Sequence, residues 1–99
     1  MTNKGVQFHE AAVEEYQAAF EWYFERSELA SSRFAGELNQ AITLVSEAPQ
    51  RWPASIHGTR KFLLRRFPFA VFYRELPTVI QVLAVAHTHR RPGYWKKRI

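Results

Sequence analysis

The chain predicts an α+β fold of order β-α-α-β-β-β, in which a short strand and a helical hairpin precede a three-strand antiparallel meander. Two changes of period carry this reading. Between Glu10 and Ala48 apolar residues recur at three- and four-residue spacing, the signature of amphipathic helices. Between Lys61 and Ala86 they come instead in strand-length runs rich in aromatic and β-branched residues, parted only by Pro-containing turns.

Val6-Gln7-Phe8 alternates, with Val6 and Phe8 on one face, and reads as a strand added to the edge of the sheet. From Glu10 the residues Val13, Tyr16, Phe20 and Tyr23 form an apolar stripe, with Glu10, Glu14, Glu21 and Glu25 opposite, so a helix is expected to end near Arg26. The aromatic stripe reads as core, since its spacing fits burial and the basic residues lie elsewhere. Ser27 can cap a second helix whose stripe is Ala30, Phe34, Leu38, Ala41, Val45 and Ala48, and Pro49 stops it. With almost no linker between them, the two helices are expected to form a hairpin on one side of the sheet.

Pro49 to Thr59 is the longest irregular connection, with Trp52 expected as an anchor against the core. Three strands follow. Phe62-Leu63-Leu64 runs into Arg65-Arg66, Phe69 to Leu76 forms the second, and Val79 to Ala86 the third. In a strand, Lys61, Leu63 and Arg65 would share one face, with Arg66 on the other. Val79 to Ala86 is interrupted only by Gln81, as expected of a central strand buried on both faces.

Composition narrows the function classes. Residues 1–99 are expected to form one domain, with 46% hydrophobic and 15% aromatic residues supplying a modest core. No Cys is present, which removes disulfides and thiolate metal sites. The first seven residues lack the apolar stretch of a signal peptide, and no run is long enough to span a bilayer, so a cytoplasmic protein without membrane contact is expected. Charge is divided unevenly. Residues 1–50 hold eight Glu against Lys4, Arg26 and Arg33, a balance of −5, whereas residues 51–99 hold eleven Lys and Arg against Glu75 alone, a balance of +10. Such a half attracts an anionic partner, either nucleic acid or an acidic protein segment.

The residues available for that role are Arg60, Lys61, Arg65, Arg66, Arg74, His87, His89, Arg90, Arg91, Tyr94, Lys96, Lys97 and Arg98, with Trp95 beside them. Arginine guanidinium groups suit bidentate phosphate contacts. Metal-free RNA cleavage would need a base, an acid and cations for the phosphorane. His87, His89 and Tyr94 are candidates for the first two, and the arginines for the third. His87 and His89 share one strand face, yet a third metal ligand from His9 or His57 would be required and no Asp exists, so no metal and no cofactor are expected.

The stretches GTRKFLLRRFPFAVFYR, VIQVLAVAHTHRR and PGYWKKR, after a strand and a helical hairpin, resemble the ParE/RelE superfamily of type II toxin-antitoxin toxins from about Val6 to Arg98. The resemblance rests on Gly58 and Arg60, on Phe69 to Arg74, and on His87, Arg90, Pro92, Tyr94, Trp95 and Arg98. It implies a small toxin neutralised by a cognate antitoxin whose extended segment wraps it. ParE-like members poison DNA gyrase, whereas RelE-like members enter the ribosome and cut mRNA. In a RelE-like nuclease Arg65, His87, Arg90 and Tyr94 would be the catalytic positions. Arg60, Lys61, Arg66, Arg74, His89, Arg91, Trp95, Lys96, Lys97 and Arg98 would bind partner or target. Thr88 stands where a catalytic Arg is expected, the lysine cluster is reduced to Lys61, and Pro92-Gly93-Tyr94-Trp95 leans toward the ParE side. The resemblance therefore implies a gyrase-directed toxin, with a ribosome-dependent mRNA endonuclease as the alternative and a nontoxic RNA-binding or interaction module as a third reading. Tyr94 and Trp95 serve either as packing for the tail or as functional contacts.

Overall fold

The computed structural model describes residues 4–99; the reading of the amino terminus therefore lies outside the described residues at positions 1–3. Strand β1 (Gly5–Phe8) leads into helices α1 (Glu10–Arg26) and α2 (Glu28–Glu47), and then into β2 (Arg60–Leu63), β3 (Phe69–Glu75) and β4 (Val79–His87). The sheet order is β1-β4-β3-β2. The last three strands form the expected antiparallel meander, while β1 joins the edge of β4 in parallel, so the sheet as a whole is mixed. The parallel arrangement follows from connectivity, because the helical hairpin and the meander return the chain alongside β1 in the same direction.

Local chemistry sets the boundaries of the helices. His9 caps α1 through Nδ1, which accepts from Ala11 N at 3.0 Å, and Ser27 Oγ accepts from Ala30 N at 3.1 Å to start α2. On α1 the buried positions are Ala12 and Ala19, with Tyr16, Phe20 and Tyr23 packed against the core. Val13, expected inside, is 37% exposed: the stripe is rotated by one residue because the small side chains of Ala12 and Ala19 let the helix approach β4 closely. On α2, Phe34, Leu38, Ala41 and Val45 are buried as the pattern predicts.

Both faces of β4 are covered, which explains its unbroken apolar sequence. Ile80, Val82 and Val85 join the core under the helices, whereas Leu83, Ala84 and Ala86 form a second cluster with Trp95, flanked by Phe72 and Tyr94. The switch in alternation comes from a bulge. Phe72 pairs with Ala84 but Tyr73 with Val82, leaving Leu83 as the extra residue. The carboxyl-terminal tail thus acts as the cover for the face that the helices leave bare.

The chain from Arg65 corrects the sequence reading. β2 ends at Leu63, so Arg65 and Arg66 lie in the connecting turn and strand alternation does not govern them. Their backbone N–H groups both donate to the Glu37 carboxylate on α2, which ties the turn to the hairpin and leaves both guanidinium groups exposed. Trp52 is an anchor, its ring edge-on to Phe62 at 4.6 Å. Among the described residues no helix is long and apolar enough to cross a membrane.

Tyr73 supplies a pH-dependent term. Its ring is fully buried, its hydroxyl donates to Pro49 O at 2.6 Å, and burial pushes its pKa up to about 12. The unfolded chain ionises this phenol near pH 10 while the folded chain keeps the proton, so stability is complete below pH 10 and declines between about 10 and 12. Urea titrations of Tyr73→Phe across this range are expected to lose part of that decline, at a fixed cost of about 1 kcal/mol at neutral pH for the missing hydrogen bond.

Candidate interaction site

The tail after β4 is built by three contacts. His87 Nδ1 accepts from His89 N at 3.1 Å, and Arg90 N donates to His87 O at 2.9 Å, which turns the chain back across the sheet. Gly93 then adopts φ +77, and a Cβ there would stand 3.0 Å from Ile56 Cδ1 and 3.6 Å from His57 Nε2, so only glycine lets the tail meet the loop before β2. Trp95, 1% exposed, packs on Phe72 at 5.0 Å between centroids, with the His57 ring edge-on at 5.9 Å.

Glu15 holds the far end. Its carboxylate accepts from Tyr94 Oη at 2.6 Å, from both terminal nitrogens of Arg98 at 2.9 Å, and from Val85 N at 3.0 Å. Arg98 also donates to Leu83 O at 2.9 Å. The bulged strand therefore finds side-chain partners for backbone groups beyond the end of β1, whose pairing stops at Phe8 and Val82. With side-chain exposures of 17% and 16%, Arg98 and Glu15 form a largely buried bidentate pair.

Between tail and sheet lies a cleft of about 170 Å³ lined by Lys61, Phe72, Ala86, His87, Arg90, Arg91 and Trp95, among others, and by no carboxylate. Lys61 Nζ sits 6.0 Å from the Phe72 ring centroid, and the Arg90 guanidinium lies over Tyr94 at 3.8 Å. An apolar floor under a cationic rim suits an anionic group carried by a larger partner.

Of the residues singled out in sequence, the fold gathers Lys61, His87, Arg90, Arg91, Tyr94 and Trp95 around this cleft. His89 is exposed beside His87, with ring centroids 5.1 Å apart. Arg60 is drawn away, donating to Trp52 O at 2.7 Å, and Arg74 is engaged by Gln81 at 2.8 Å. Arg65 and Arg66 stand exposed on the β2–β3 turn, and Lys96 and Lys97 are exposed on the last turn of the chain.

Three candidates change role. Trp95 is buried, and its indole is core at the base of the cleft. Arg98 is committed to Glu15 and Leu83. The Tyr94 phenol is committed as a donor to Glu15, and burial first, then that hydrogen bond and the carboxylate charge, push its pKa far above the ordinary tyrosine value. A phenol so held is a poor proton donor and no base at neutral pH. Among the described residues no three His, Asp or Glu side chains converge as metal ligands would.

Glu15 itself escaped the sequence reading. The available signal was its position: it lies between the buried Ala12 and Ala19 and next to the partly buried Tyr16, while Glu10, Glu14, Glu21 and Glu25 are exposed.

A family model described as the ParE toxin of type II toxin-antitoxin systems matches residues 6–92. No curated protein sequence matches the chain. Among solved structures, the chromosomal ParDE toxin-antitoxin system of P. aeruginosa aligns with a TM-score of 0.74 and 16% identity, covering 85% of this chain and 95% of that one. The E. coli toxin RelE, as a double arginine-to-alanine mutant in the free state, aligns with a TM-score of 0.62 and 16% identity over 89% of this chain and 86% of its own. The RelBE2 toxin-antitoxin complex of Mycobacterium tuberculosis aligns with a TM-score of 0.59 and 22% identity over 88% and 93% of the two chains. At these identities the likeness is one of fold.

Proposed function

Because the chain belongs to the ParE toxin family of type II toxin-antitoxin systems, we propose that it arrests growth by binding a macromolecular target, DNA gyrase, through its cationic tail and sheet face, and that a cognate antitoxin neutralises it. The observation that carries this reading is the state of Tyr94. The hydroxyl that a nuclease would use as acid or base is held protonated by burial and by its hydrogen bond to Glu15, while Lys61, Arg90 and Arg91 remain exposed for electrostatic binding. Binding needs charge and shape, both of which the cleft offers; proton transfer needs a free titrating group, which Tyr94 is not. Neither a cofactor nor a membrane enters this reading.

Purified chain is expected to inhibit negative supercoiling by gyrase in a dose-dependent and salt-sensitive manner. Undiminished supercoiling at saturating protein overturns the assignment of gyrase.

One observation favours a second reading, an mRNA endonuclease. His87 lies in the cleft with Lys61, Arg90 and Arg91, and with Nδ1 accepting from His89 the neutral ring carries its proton on Nε2. Ribosome-dependent cleavage that disappears in His87→Ala would establish it.

A further inference from the structure

We propose that the end of the sheet where β2 runs into β3 and β4 runs into the tail is a duplex-DNA surface, on which Lys61, Arg65, Arg66, Arg90 and Arg91 engage backbone phosphates. The inference rests on the reading of the chain as a gyrase-directed toxin, and adds that the chain holds the DNA of that target as well as its protein.

Strand register brings the cations together. Leu63 pairs with Ala70 and Phe69 with His87, so β2, β3 and β4 reach the same end of the sheet. There Thr88 N donates to Pro68 O at 2.8 Å, which joins the turn carrying Arg65 and Arg66 to the turn carrying Arg90 and Arg91. Lys61 stands near the end of β2 and lines the cleft with Arg90 and Arg91.

Their charges are uncompensated. All five residues are exposed, and among the described residues none of them pairs with a carboxylate. Glu37 reaches the first turn, yet it accepts from the backbone N–H groups of Arg65 and Arg66 and from neither guanidinium. The turn is thereby pinned while its two guanidinium groups keep their donors for an outside acceptor, and such groups bind phosphate oxygens in bidentate fashion. Duplex DNA carries a charge about every 1.7 Å of axis, so the roughly 10 Å width of three adjacent strands meets enough phosphates for all five cations.

The aromatic residues select the duplex. Single strands are held by open ring faces on which unpaired bases stack. At this end of the sheet Phe67 and Phe69 pack against the core, and Phe72 packs against the buried Trp95. The Tyr94 ring has the Arg90 guanidinium over it at 3.8 Å, and the ring of Trp22, on the neighbouring helix, has that of Arg26 over it at 3.7 Å. The surface offers charge without stacking, which is what a duplex with paired bases and outward phosphates requires.

The test measures binding of the full-length chain to a labelled duplex of about 20 bp and arbitrary sequence, by fluorescence anisotropy between about 50 and 200 mM salt. A dissociation constant in the micromolar range is expected, with a log-log salt slope of about −4.5 for five phosphate contacts. Arg65→Gln combined with Arg66→Gln keeps the backbone donors to Glu37 and should make that slope shallower by about 2. Arg51→Glu removes the same amount of charge at the other end of the sheet, next to Gln50 and its contact with Glu75, and should leave the slope within about 0.5 of the parent. An equal loss of slope in the two variants, or tighter binding of a single-stranded RNA of the same length, overturns the inference. So does an absence of DNA binding at the lowest salt: if the same chain still inhibits supercoiling, the gyrase reading stands without this surface, and if it does not, both fall.

Discussion

Glu15→Ala is expected to destabilise the fold by about 3 kcal/mol, equivalent to a fall in Tm of roughly 12–24 °C for a domain of this size. The substitution orphans the Tyr94 hydroxyl and Val85 N and leaves the Arg98 guanidinium without its counter-charge, with only Leu83 O as acceptor, in a place where the side chains of the ion pair are only 16–17% exposed. An uncompensated, largely buried guanidinium accounts for most of the cost. The contrast is with Lys4 and Glu75, an ion pair with side-chain exposures of 30% and 26%, whose loss should cost no more than about 1 kcal/mol. Arg98→Ala is the second arm, and in a double-mutant cycle the two substitutions should be strongly non-additive. Thermal melts that place Glu15→Ala within 1 kcal/mol of the parent would show that the tail is not held in the way described.

Reversing the charge of the cleft with Lys61→Glu, Arg90→Glu and Arg91→Glu together is expected to abolish growth inhibition while leaving the melting curve nearly unchanged. All three side chains are exposed, so each alters stability by only about 0.5 kcal/mol or less. Each reversal replaces an attraction for an anionic surface by a repulsion, and at about 1 kcal/mol or more apiece the three weaken target binding by roughly 100-fold or beyond. Tyr94→Phe serves as the discriminating comparison. It removes only the donor to Glu15, so growth inhibition should persist at a cost of about 1 kcal/mol in stability. A fully toxic triple variant contradicts the proposed role of the cleft, and a nontoxic but folded Tyr94→Phe favours the nuclease reading.

Much of the architecture was legible because local signals and packing agree. The stripe from Phe34 to Val45, the Ser27 cap and the apolar run of β4 each reflect one physical demand, and the structure meets each in the expected way. What sequence did not reveal arises where side chains replace backbone as the organising contact. Arg65 and Arg66 continue the strand pattern on paper, but the Glu37 carboxylate captures their N–H groups and makes a turn. The parallel pairing of β1 depends on where the helical hairpin returns the chain, which no local pattern encodes. Val13 fits the helical stripe as well as Ala12 does, and only the close approach of α1 to β4 decides between them.

The candidate site was less legible for the same reason. A list of cations in the second half of the chain is visible in the sequence; the division of that list is not. Arg98, Arg60 and Arg74 are held by Glu15 and Leu83, by Trp52 O, and by Gln81 respectively, whereas Lys61, Arg90 and Arg91 stay exposed around an apolar floor. Glu15 lies 79 residues from Tyr94 and 83 from Arg98, so no motif spacing could have joined them.

The central claim, that this chain arrests growth through a DNA-directed target, is tested most directly by pulse labelling of DNA, RNA and protein synthesis in bacteria within minutes of inducing the chain without its partner. The account predicts that DNA synthesis falls first, together with a DNA-damage response. Protein synthesis falling first, with DNA synthesis initially intact, would contradict it.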